Sequence, residues 1–191
     1  MLGKFRCVIA VAAVLVGLAG CAGTGNDPTS VADGGYQYGN YSQFFAPGDR
    51  PTVGDVSGET LQGTQLNLAS YRGKVVVVNY WSSSCVPCHA EAQAFEALSK
   101  EYATKGVQFV GIDERDNRSA ALAFERGHHI TYPSIYDRTD AYVLAFPDAA
   151  PSTTPFTIVL DRRGGIAAKA SNSLDYTHLR ALLNRVLSEQ A

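Results

Sequence analysis

The run Val75-Val-Val-Val-Asn-Tyr-Trp81-Ser-Ser-Ser-Cys85-Val-Pro-Cys88-His89 constrains this chain more than any other segment. Four consecutive valines suit a central strand covered on both faces. The serines turn the chain, and two cysteines separated by two residues then open a helix. Such a pair can close a small disulfide ring and reopen it. This is redox chemistry carried by sulfur, needing neither a metal nor an organic cofactor.

Position sets unequal roles for the two thiols. A helix N-terminus presents unpaired N–H groups and the positive end of the helix dipole, and both favour a thiolate. Cys85 is therefore expected at the exposed tip, with a lowered pKa, as the attacking sulfur. Cys88, one turn further in, is expected to be more buried and to resolve the mixed disulfide by attacking Cys85. Pro87 suits the first helical turn, where a missing N–H costs nothing. Val86 and Pro87 are apolar, which makes the dithiol face a docking surface for a protein.

Other uses of the pair fit less well. Cys85-Val-Pro-Cys88-His89 satisfies the c-type haem attachment pattern. Such a haem often takes Met as its second axial ligand, and the only methionine is Met1. Zinc needs two further ligands, and His128, His129 and His178 form no clean second pair. A structural staple across two residues gains little, because stabilisation grows with loop length. A catalytic dithiol is the favoured reading.

The 191 residues suggest one domain plus extras, and a net charge of −2 implies no nucleic-acid partner. Lys4 and Arg6 precede an apolar run, Val8 to Leu18, that is too short to span a bilayer stably. Small residues follow, so residues 1–20 read as a secretory signal peptide. Its end, Leu18-Ala19-Gly20-Cys21, resembles the bacterial lipobox, which implies cleavage before Cys21 and its acylation. An ordinary signal peptide cut nearby and an uncleaved anchor are the alternatives. Cys7 leaves with the signal and Cys21 carries lipid, so Cys85 and Cys88 remain as the free pair. An exported chain with no disulfide framework keeps such a pair for exchange.

Residues 21–50, rich in Gly, Asn, Ser, Asp and Tyr, read as a flexible tether. Tyr36, Tyr38, Tyr41, Phe44 and Phe45 are unusual in a pure linker and are expected to pack on the domain, which spans 51–191, with a membrane surface as the alternative. Alternating segments at Thr52–Val56 and Thr64–Leu68 predict an N-terminal hairpin. Beyond the valine strand, a helix is predicted from about Cys85 to Lys105, ended by Gly106. A strand follows at Val107–Ile112. A helix capped by Asn117 and ending at Gly127 comes next, then a short strand at Pro133–Tyr136 and a helical turn at Thr139–Phe146. Phe156–Leu160 and Ile166–Ala170 flank a turn as a second hairpin. Asp175 to Leu187 is a last amphipathic helix. The order predicts an α/β fold with a central mixed sheet flanked by helices.

These residues carry a resemblance. The strand-W-x-x-x-C-x-x-C-helix unit, with Thr154-Pro155 about seventy residues later before a strand and a D-x-x-G turn, resembles the thioredoxin-like fold. More narrowly, residues 51 to 189 are similar to membrane-tethered thiol–disulfide oxidoreductases of the TlpA/ResA type, close to the AhpC/TSA-related group. The resemblance implies a cis bond at Pro155 opposite the dithiol, with the Thr154 backbone pairing with an extended substrate. A trans proline opening an edge strand is the alternative. It implies that Trp81, Val86, Pro87 and Thr154 meet the substrate. Glu91, three residues past Cys88, matches an acidic residue that raises a thiol pKa or exchanges a proton with Cys88; a solvated helix glutamate is the plain alternative. Glu114 is a weaker candidate for the same cavity. Ser84, Gln93 and the long Phe146–Thr154 segment depart from the pattern. His89 stands where relatives often have Lys or Arg; it either helps hold a thiolate or is a plain surface residue.

The expected activity is extracytoplasmic thiol–disulfide exchange without a cofactor or metal. The resemblance implies reduction of disulfide-containing exported proteins, including apocytochrome c, with electrons from a membrane thiol relay. Rivals are an oxidant that introduces disulfides, a thiol peroxidase of the AhpC/TSA group, and a haem- or partner-binding lipoprotein.

Overall fold

The computed structural model describes residues 37–38 and 42–189. The expected signal segment and Cys21 lie outside them. The described strands are β1 (Gln37–Tyr38), β2 (Ser42–Phe44), β3 (Ser57–Glu59), β4 (Gln65–Asn67), β5 (Val75–Trp81), β6 (Val107–Glu114), β7 (Ser134–Asp137), β8 (Phe156–Leu160) and β9 (Ile166–Ser171). The α-helices are α1 (Val86–Tyr102), α2 (Arg118–His128) and α3 (Tyr176–Ser188).

Seven strands form one mixed sheet in the order β1-β2-β9-β8-β5-β6-β7, with β3 and β4 as a separate pair. β5 runs parallel to β6 and antiparallel to β8, and all seven of its residues are buried. Its side chains alternate between two cores, as the period of two requires. Val75 and Val77 join Phe95 and Leu98 of α1 and Leu179, Leu182 and Leu183 of α3. Val76, Val78 and Tyr80 point the other way, against Val56, Leu66 and Leu68 around the β3–β4 pair and against Phe146. Each valine so buried contributes about 1.5–3 kcal/mol. α2 lies beside α1, where Ala121 and Phe124 pack with Trp81, Cys88 and Ala92.

Three expectations are corrected. Residues 21–50 are expected as tether; Phe44 is buried on the domain as expected, but Ser42–Phe44 is also a strand that pairs antiparallel with β9. A three-residue strand is too short to carry a periodic signal, so Ser-Gln-Phe reads as linker. The N-terminal hairpin exists, but its first strand is Ser57–Glu59; Thr52 makes only an isolated bridge to Gly165. Gly127 does not stop α2. The helix runs to His128, and His129 adopts the left-handed conformation that ends it, at φ 57°.

Candidate active site

The strand and the helix deliver the dithiol. β5 ends at Trp81, the Ser82–Ser84 turn follows, and Cys85 is the N-cap of α1. Its N–H donates to Ser82 O at 3.1 Å. Its Sγ accepts from Cys88 N–H at 3.2 Å, so a helix-terminal donor already points at the sulfur. The two sulfurs form a disulfide. Cys85 is half-buried while Cys88 is 1% exposed. The unequal accessibility expected from the helix start is therefore present. Val86 is 79% exposed and Pro87 is exposed beside it, which leaves an apolar lip around Cys85.

Behind the sulfurs lies Glu91, 2% exposed. It is not a solvated helix residue. Oε1 accepts from Asn79 Nδ2 at 2.8 Å and Oε2 from Leu174 N–H at 3.0 Å. Burial pushes its carboxyl up to about 7, and these two hydrogen bonds limit the rise. A carboxyl at that value accepts or gives a proton near neutral pH.

The Thr154–Pro155 bond is cis. The register Tyr80↔Phe156 in the β5–β8 pair sets Pro155 across from Trp81, at the dithiol end of the sheet. The two halves of the motif thus meet in space. Glu114 does not share the Glu91 cavity. It accepts a hydrogen bond from the Thr154 hydroxyl, and burial raises its pKa against that bond. A cleft beside it is lined by Arg115, Asp140, Leu144, Pro151 and Thr153.

Trp81, expected at the substrate face, is 3% exposed. Its ring stacks on Phe124 at 4.4 Å, so it packs behind the site. Gly111 makes room for it, since a Cβ there would lie 2.6 Å from the indole nitrogen. Sequence reasoning missed three neighbours. Asp113, directly across from Trp81 in the β5–β6 register, is fully buried, and neither carboxyl oxygen meets a donor. Burial, then repulsion from Asp116, pushes it up to about 8. Asp116 takes the Ser83 hydroxyl at 2.9 Å and the Ser83 N–H. Burial opposes its ionisation, but these bonds and one from Asn117 N–H hold it below the usual carboxylate range. His89 contacts His128 from the far end of α2. Partners 33 and 39 residues apart leave no local signal.

The arrangement can do thiol–disulfide exchange. The Redoxin family pattern matches residues 47–179, which include every group just described. The chain belongs to the Redoxin family. This redoxin is 27% identical over 133 residues to the thiol–disulfide oxidoreductase ResA of Geobacillus kaustophilus, covering 68% of this chain and 75% of that one. Among solved structures it is similar to a secreted thiol–disulfide isomerase from Corynebacterium glutamicum, at 29% identity and a TM-score of 0.74, covering 79% of this chain and 94% of the other. A DsbF homologue from Corynebacterium diphtheriae is 31% identical with a TM-score of 0.72, covering 80% and 99%. The redoxin has the thioredoxin-like fold expected from the sequence and is a thiol–disulfide oxidoreductase. No described helix is long and apolar enough to cross a membrane.

Proposed function

We propose that this redoxin is exported, held to the membrane by lipid on Cys21, and reduces disulfides of exported proteins. The observation that carries the chemistry is the pair of unequally exposed sulfurs at one helix start, set beside the Thr154–Pro155 corner. In the reduced protein, the Cys85 thiolate attacks one sulfur of a substrate disulfide. A mixed disulfide forms and one substrate thiolate leaves. Cys88 passes its proton to the Glu91 carboxylate and attacks Cys85 Sγ. The second substrate thiolate leaves, two electrons have gone to the substrate, and the Cys85–Cys88 disulfide remains. Val86 and Pro87 dock the partner, and the Thr154 backbone aligns an extended segment of it.

The segment order at residues 1–21 supports export and lipidation. Resemblance to the ResA type supports the reductive direction, electrons from a membrane thiol relay, and the C-x-x-C-H of apocytochrome c as one target. A second reading has the oxidised pair introducing disulfides; the closed Cys85–Cys88 disulfide, the form such an oxidant uses, favours it. The reduction potential of the Cys85–Cys88 pair separates the two. A value near that of thioredoxin, about −270 mV, is expected; one near that of a strong oxidant, about −120 mV, reverses the direction.

A further inference from the structure

Ser83, two residues before Cys85, is held from both sides by the ends of α2. Before its first turn, Asp116 accepts the Ser83 N–H and hydroxyl. At its last residue, His128 reaches His89, and His89 reaches Ser83 O. The distances are 2.8 Å from His89 Nδ1 to His128 Nε2 and 2.9 Å from His89 Nε2 to Ser83 O. Phe124 packs edge-on against His89 at 4.7 Å and also contacts His128.

Hydrogen counting fixes the protons. A carbonyl only accepts, so His89 Nε2 carries a hydrogen. In the neutral pair His89 Nδ1 is then a bare acceptor, and His128 Nε2–H is the donor. One added proton is tolerated, because His89 Nδ1–H then donates to a bare His128 Nε2. A second added proton sets two N–H groups against each other, and the contact is lost.

We propose that His128 is a positioning residue for the dithiol: through His89 it fixes the Ser82–Ser84 approach to Cys85 for as long as the two imidazoles share no more than one extra proton. The approach in turn sets how Cys85 Sγ meets Cys88 N–H, the donor that stabilises its thiolate. The groups acting on His128 are His89 on α1 and His129 beside it. Both oppose its protonation, as does burial, which is the largest cause of its lowered pKa. On the opposite side of Ser83, Asp116 is faced by Asp113 from β6. The proposal rests on Cys85 being the attacking sulfur.

The test is the pH profile of iodoacetamide labelling of the reduced full chain, with mass spectrometry locating the labelled sulfur. His128→Ala should raise the Cys85 pKa; a rise of about one unit cuts the thiolate fraction, and so the labelling rate, about tenfold below that pKa. His128→Gln keeps a donor for His89 Nδ1 and should restore the neutral-pH rate. In the native protein the logarithm of the rate should fall more steeply than one per pH unit once the pair takes its second proton. In His128→Gln the slope should stay at one. Nitrogen-15 spectra of the native protein should show neutral His89 protonated at Nε2, a readout that no folding defect can affect. Superimposable profiles with Cys85 labelled first overturn the positioning role alone, as does a neutral His89 protonated at Nδ1. Labelling of Cys88 ahead of Cys85 overturns the nucleophile assignment and the proposal with it.

Discussion

Asn79 on the central strand donates its amide to Glu91 on α1 at 2.8 Å, tying the strand that aims the dithiol to the helix that carries it. The bond joins a neutral donor to a carboxyl that titrates near neutrality, so the tie strengthens as the carboxyl ionises.

Glu91 makes stability depend on pH. Its value rises from 4.5 to about 7 on folding, so the folded chain binds the proton more tightly. That contribution is complete below pH 4.5 and is lost as pH rises through about 7, roughly 3 kcal/mol in all. Glu91→Gln should flatten the decline of denaturant midpoints between pH 5 and 8. It should also slow resolution by Cys88, since no carboxylate takes its proton. An unchanged slope would remove Glu91 from the titrating groups.

Asp113 acts with the same sign over a wider window. Its carboxyl, raised from 3.8 to about 8, is uncharged in the folded chain at neutral pH. The stability so conferred is lost as pH rises through about 8. Asp113→Asn supplies a neutral near-isostere and should exceed the native protein at pH 9 by an amount on the order of 6 kcal/mol. Urea unfolding at pH 5 and pH 9 measures it; equal differences at both values count against a buried titrating carboxyl.

Cys88→Ser should leave Cys85 able to attack but unable to release its partner. A mixed disulfide with a peptide disulfide substrate should accumulate and persist, visible as a mass increment on Cys85. Cys85→Ser should reduce exchange to background. Turnover retained in either variant would contradict the assigned roles.

Two valines should respond in opposite ways. Val78 is fully buried and Val86 is 79% exposed. Val78→Ala should cost about 2–3 kcal/mol from lost burial and the cavity left behind. Val86→Ala should leave stability within about 0.5 kcal/mol while weakening docking of a protein disulfide. A raised KM for a folded substrate, with small-molecule disulfides unaffected, is the expected kinetic pattern.

The dithiol unit was legible because its determinants are local. Four valines, a serine turn and two cysteines at a helix start lie within fifteen residues. The mixed α/β class followed from the succession of strands and helices along the chain. Strand β2 was not legible, since Ser42 and Gln43 gain their place only by pairing with Ala170 and Lys169. Trp81 was placed on the wrong side of the site because its partner, Phe124, lies on another helix. The bracing of Ser83 was likewise hidden, because residues distant in sequence make it. Spacing alone could place Glu91 on the Cys88 face; only the fold shows what seals it from water.

The sulfur that exchanges electrons is also the atom that finishes the first turn of α1. A thiolate at Cys85 accepts the Cys88 N–H more strongly than a sulfur in a disulfide does. Each reduction therefore exchanges a covalent tie across this turn for a stronger hydrogen bond, and each oxidation reverses the exchange. The first turn of α1 thus holds a different set of bonds in each redox state, directly beside the exposed Val86 and Pro87.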